Sequence, residues 1–147
     1  MIRKFLFPKP SEETLFSLFL LALRLFLGTL LMLHGVNKLI DYALLSDNFP
    51  DPIGMGSQIS LILVIFAELF CAAAFLLGLL YRLALIPMII AMAVAFFSFH
   101  HASLAEGELA LLYLLLFIML YISGPGKYSI DYLIYSATEP IDFTEEA

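Results

Sequence analysis

Apolar runs long enough to cross a bilayer recur along this chain, and that feature decides its fold class. They predict helices over about 12–40, 59–80, 83–100 and 108–122, separated by short polar stretches. Inside lipid every backbone donor and acceptor must be satisfied within the segment, so each run is read as a helix. Residues that are 63% hydrophobic and only 14% charged, with a mean hydropathy of +1.01, exclude an ordinary soluble domain. The expectation is an all-α membrane protein, a four-transmembrane-helix bundle in which residues 1–147 form one membrane domain. That expectation leaves no room within these residues for a separate soluble catalytic module.

The ends of the runs carry their own signals. KPSEETLF reads as a helix start, with Ser11 as N-cap and Glu12 and Glu13 in the first turn, where the helix dipole favours acids. From Leu15 to Ile40 such a helix is about 39 Å long, so it must tilt or project beyond the hydrocarbon, which would place His34 to Lys38 at the interface. MIRK is basic, but Pro8, Pro10 and two acids follow it and the run ends on HGVNK, so an uncleaved first helix is expected. DYALLSDNFPDPIGMGSQ is too rich in Pro, Gly and Asp to span. Tyr81 and Arg82 are read as the turn between the second and third helices, Pro87 is tolerated in the first turns of the third, and GPG stops the fourth. Tyr128, Tyr132 and Tyr135 give residues 127–137 the character of an interfacial segment.

Charge sets topology and excludes partners. Arg3, Lys4, Lys9, Arg82 and Lys127 fall at the N-terminus, the second turn and the C-terminus, so both termini are expected in the cytoplasm. A net charge of −6 argues against nucleic acid as a partner. The single Cys71 excludes a disulfide framework, a CxxC pair and a thiolate-rich metal site within one chain.

Ionisable residues within the apolar runs are the candidates for function. Arg24 and Glu68 lie near the middle of the first and second helices and are expected to neutralise each other as a buried pair. Such a pair could fix helix register or serve a proton or quinone headgroup. Gly28 and Gly35 share a face with Arg24 and are read as a close-packing surface for another helix. His34, Asn37 and Lys38 end the first helix, His100 and His101 end the third, and Glu106 and Glu108 begin the fourth, all on one membrane side. In a bundle these ends are neighbours, which suggests an extracytoplasmic His/Glu polar pocket able to relay protons or bind a ligand. Taken one at a time, the same residues are ordinary helix-end caps. No spacing matches a metal or haem signature, so no metal ligands are assigned, although metal and haem stay open.

LRLFLGTLLMLHGVNKL, AELF with LLGLLYRLA, GELALLYLL and GPGKYSID together resemble the DoxX family of small four-helix bacterial membrane proteins, over about residues 20–131. The resemblance carries over to Arg24, His34, Gly35, Lys38, Glu68, Arg82, Glu108, Gly124, Gly126, Ser129 and Asp131. It implies a multi-pass protein of the bacterial cytoplasmic membrane and a subunit of a quinone-linked oxidoreductase. Within that reading Glu68, Arg24, His34 and Glu108 are the catalytic candidates, and Lys38, His100 and Asn37 are the quinone-binding ones. Membrane lipid and a protein partner or homo-oligomer are the expected associates. A small proton or solute transporter and a non-catalytic scaffold are the alternatives. For Ser129 and Asp131 the expectation is a cap on the interfacial segment, with Asp131 paired to Lys127 or Arg82.

Overall fold

The computed structural model describes residues 14–138. Its elements are α1 (Thr14–Ile40), the one-turn α2 (Tyr42–Leu45), α3 (Ser57–Leu77), α4 (Tyr81–Phe99), α5 (Leu104–Ser123) and α6 (Ile130–Thr138). No strand occurs among the described residues, and α1, α3, α4 and α5 are each long and apolar enough to cross a membrane.

Helix α1 packs on α3, α3 on α4 and α4 on α5, and all four contribute to one core. Leu27 and Leu31 of α1, Ala72 and Phe75 of α3, Leu85 and Met88 of α4, and Phe117 of α5 are buried in it. The Phe75 ring meets Phe117 edge-on at 5.8 Å and stacks on Tyr81 at 5.4 Å, which ties α3, α4 and α5 together. Large side chains such as Phe26, Phe70 and Met119 point outward, as lipid-facing residues do where no hydrophobic penalty opposes them.

The boundaries differ from the sequence expectation at two places: α5 begins at Leu104, four residues ahead of the expected Glu108, and the α3–α4 turn is shifted. The turn between α3 and α4 is Gly78 to Leu80 rather than Tyr81 and Arg82, with Gly78 and Leu80 both left-handed (φ 67° and 45°). Gly78 ends α3 as helix-terminating glycines do, and Pro87 is therefore interior to α4 instead of near its start. Two stretches, Phe66–Cys71 in α3 and Ala95–Phe99 in α4, are π-helical, an insertion-like widening with no signature in the sequence.

The two ends of the bundle are closed differently. At the loop end, the Asp51 carboxylate accepts N–H bonds from Met55 (2.9 Å) and Gly56 (2.7 Å) and the Ser60 hydroxyl (2.7 Å), pinning the long loop to the first turn of α3. The Ser60 bond first, then the backbone donors, hold the Asp51 carboxyl below the ordinary carboxylate range. At the turn end, the segment after α5 folds across the beginning of α1. Gly124 has φ 86°, and the Lys127 N–H donates to Ser17 Oγ at 3.2 Å.

Candidate functional site

The relative level of α1 and α3 follows from two glycines. A Cβ on Gly28 would lie 3.1 Å from Leu76 Cβ, and one on Gly35 would lie 2.8 Å from the Glu68 carbonyl carbon and 2.9 Å from the Leu69 nitrogen. The backbones therefore touch, as the paired glycines suggested, and each step forward along α1 is matched by a step backward along α3. Gly35 stands level with Glu68, and Arg24 stands level with the α3–α4 turn.

That alignment separates the two residues expected to pair. Arg24 and Glu68 are both buried, at 1% and 5% exposure, but lie roughly 16 Å apart along the bundle axis, beyond the reach of an arginine side chain. Glu68 pairs instead with Lys38, whose Nζ donates to Glu68 Oε2 at 2.5 Å. Lys38 is three residues beyond Gly35 on nearly the same face of α1 and reaches back along the helix to the carboxylate. Its side chain keeps 25% exposure while that of Glu68 keeps 7%, so the ammonium is the open flank of the pair. Glu68 lies within the π-helical stretch, and the Tyr113 phenol of α5 is close enough to interact with its charge.

Arg24 belongs to a second polar centre at the turn end. Its Nη2 donates to the Tyr128 carbonyl, while Nε and Nη1 are buried without a hydrogen-bond partner among the described residues. Beside it, Asp131 accepts the N–H groups of Leu80 and Tyr81, both at 2.8 Å, and donates its own N–H to the Gly78 carbonyl at 2.9 Å. A carboxylate from α6 thus caps the N-terminus of α4, where the helix dipole favours negative charge. Asp131 does not pair with Lys127 or Arg82; Arg82 lies over the Tyr121 ring at 5.6 Å. Burial pushes the Asp131 carboxyl up, opposed by the Tyr81 and Leu80 N–H groups and the Arg24 charge. Ser129 does cap α6, accepting the Tyr132 N–H at 3.1 Å and donating to the Gly126 carbonyl at 2.8 Å.

The remaining candidates are not joined to one another. His34 and Asn37 are exposed on α1, and Glu106, Glu108 and His101 are exposed at the other side of the loop end. His100 is half-buried beside Gly107, with its ring 4.7 Å from that of Phe99. No hydrogen bond or ion pair links these residues, and no three His, Cys, Asp or Glu side chains gather as a metal site, among the described residues. Two clefts stand out. One of about 360 Å³ at the loop end includes Asp47 and Gln58, and one of about 450 Å³ between α3 and α4 is lined by apolar residues including Phe66, Phe70, Cys71 and Pro87. Neither is lined by His34, Asn37, His100, Glu106 or Glu108.

Sequence reasoning named Lys38 and Glu68 separately but not their contact, and did not name Tyr113 or Gly78. Gly78 was findable as a helix-ending glycine. Tyr113 carries no local signal, because its role depends only on where α5 packs.

Fold and site together define a small multi-pass membrane protein with two buried ionic centres at different depths. The DoxX family model matches residues 19–101, more than half of the chain, and the protein belongs to the DoxX family. A bacterial inner-membrane location is consistent with that family. The match takes in Arg24, His34, Lys38 and Glu68 and ends before α5 and α6. No match is found among curated proteins or among solved structures.

Proposed function

We propose that this protein is a membrane subunit of a quinone-linked oxidoreductase, with the Lys38–Glu68 pair as its headgroup and proton site. The observation that carries the reading is the 2.5 Å ion pair itself, placed deep in the membrane portion at a π-helical stretch and open on its lysine flank. Ionised side chains at such depth are costly and are retained mainly for function or for specific packing.

The residues suit a quinone headgroup. Lys38 offers an ammonium donor to a carbonyl oxygen, and Glu68 offers an acceptor for a quinol hydroxyl. A bound quinone would supply a two-electron, two-proton couple, its electrons exchanged with a partner subunit carrying a metal or flavin centre. Glu68 would take the two protons of a quinol one at a time, each leaving toward the loop end before the next arrives, Lys38 would compensate the ionised Glu68 carboxylate, and the Tyr113 hydroxyl lies near that carboxylate.

The turn-end centre has a different part. Arg24 and Asp131 hold the C-terminal segment under the α3–α4 turn, which forms a surface for a soluble or membrane partner. Arg82 and Lys127 lie at this end, so it is assigned to the cytoplasm. A transport path finds less support. Leu27, Leu31, Phe75 and Phe117 fill the layer between the two ionic centres.

The test is quinone binding by the purified protein, read from an organic extract and from a titration with a prenylated quinone. Saturable binding that is lost in Glu68→Gln is the expected result. Absence of binding, or equal binding by the variant, removes the oxidoreductase reading and leaves a scaffold.

A further inference from the structure

We infer that the Lys38–Glu68 site opens sideways into the bilayer near its midplane, and that His34 is the residue a headgroup meets on the way in. This rests on the quinone reading above and adds the direction of access and a contact residue to it.

Depth comes first. Ser57 begins α3, and Glu68 lies eleven residues further on, about 16 Å at the rise of an α-helix, which is half of a hydrocarbon core roughly 30 Å thick. Gly35 touches the Glu68 backbone and so shares its level. His34, one residue further toward the turn end, therefore sits near mid-bilayer and not at the interface where its place in the sequence put it. It is exposed there, and it has no hydrogen-bond or ionic partner among the described residues.

Direction comes second. Around α1, Lys38 is about 60° from Gly35, and His34 is about 40° beyond Lys38, farther from α3. Residues four apart are neighbours on a helix, so His34 and Lys38 form adjacent rungs of one face. Glu68 is the inner member of this set, Lys38 the middle one and His34 the outer one, in step with their increasing exposure. Leu30 and Leu33, both exposed, flank His34 with apolar surface.

An imidazole facing lipid without a partner is unfavourable unless something polar visits it. A molecule able to do so must be dissolved in the membrane, carry a polar head with a carbonyl or hydroxyl, and travel near mid-bilayer. A prenylated quinone or quinol has that chemistry. His34 can donate to a carbonyl through one ring nitrogen or accept from a hydroxyl through the other, which makes it a binding residue for either redox state.

The experiment uses the full chain in lipid nanodiscs with a photoreactive prenylated quinone, comparing wild type, His34→Ala, His34→Gln and Glu68→Gln. The expected result is labelling of α1 around residues 30–38. Affinity should be about tenfold weaker in His34→Ala, as for loss of one hydrogen bond, with partial recovery in His34→Gln. Wild-type affinity in His34→Ala while Glu68→Gln fails to bind overturns the role of His34 and keeps the quinone site. Labelling of the loop between α1 and α3 instead of α1 overturns lateral access. No specific labelling of the wild type overturns the quinone reading together with this one. Because His34 is exposed, its variants leave the bundle intact, and a melting curve checks that.

Discussion

Gly35 meets the backbone of Glu68 so closely that a methyl group on it would lie 2.8 Å from the Glu68 carbonyl carbon. This contact sets the level of α1 against α3 and so decides which cation Glu68 can reach. Gly35→Ala should push the helices apart, at a cost of roughly 1–3 kcal/mol for overpacking, and loosen the Lys38–Glu68 pair. Gly28→Ala, whose nearest neighbour is a Leu76 side-chain atom at 3.1 Å, should cost less. Thermal unfolding in detergent ranks the two. Equal melting of Gly35→Ala and wild type would remove the argument for a backbone contact.

Asp131 holds the turn end by accepting two N–H groups of the α3–α4 turn and the start of α4. Asp131→Ala strips both donors of their acceptor, each worth roughly 1–3 kcal/mol when left unsatisfied, whereas Asp131→Asn keeps one acceptor oxygen and should fall between. Gly78→Ala attacks the same place from the other side. Its φ of +67° disfavours a side chain, and the added Cβ would run into Arg24 and Ser129. All three variants should expose Lys127 to trypsin sooner than wild type does. Unchanged cleavage in Asp131→Ala would mean that the C-terminal segment is held by other contacts.

Much of the bundle was legible because the bilayer imposes a simple rule on sequence. Apolar length located four spans, and Gly28 and Gly35 announced a close helix contact that the structure contains. The pairing of Arg24 was not legible. Positions near the middle of two helices suggest a shared level, yet α1 begins beyond the α3–α4 turn, with Gly126 and Lys127 packed against Leu20 and Ser17. Such an offset is a property of three segments meeting and leaves no periodic trace in any one of them. The π-helical stretch around Glu68 is equally silent, since its residues differ in no obvious way from those of an α-helix.

The loop end should respond to acid through Asp51. Its folded pKa lies below the reference value of 3.8, with the Ser60 hydroxyl as the largest cause. Its contribution is therefore complete above the unfolded pKa and is lost as pH falls through the lower folded one. The melting difference between wild type and Asp51→Asn should stay constant from neutral pH down to about pH 5, then shrink toward zero below the unfolded pKa. A difference that stays constant through that acid range would assign the effect of Asn to loop geometry and not to charge.

The Lys38–Glu68 pair allows stability and function to be separated. Lys38→Met alone leaves a buried carboxylate unpaired, and Glu68→Gln alone leaves an ammonium without its counter-ion. Breaking one partner of a fully buried pair costs about 3–5 kcal/mol, and the partial exposure of Lys38 should reduce that figure here. The double variant carries neither charge and should recover most of the lost melting temperature, because well-packed neutral residues can replace an ion pair with little penalty. Quinone affinity should behave otherwise, falling in both single variants and staying low in the double one, since the donor and the proton acceptor are then both gone. Melting curves and quinone titrations on the same four proteins measure the two effects together. A double variant that regains stability and also binds quinone as wild type does would make the pair a packing device alone.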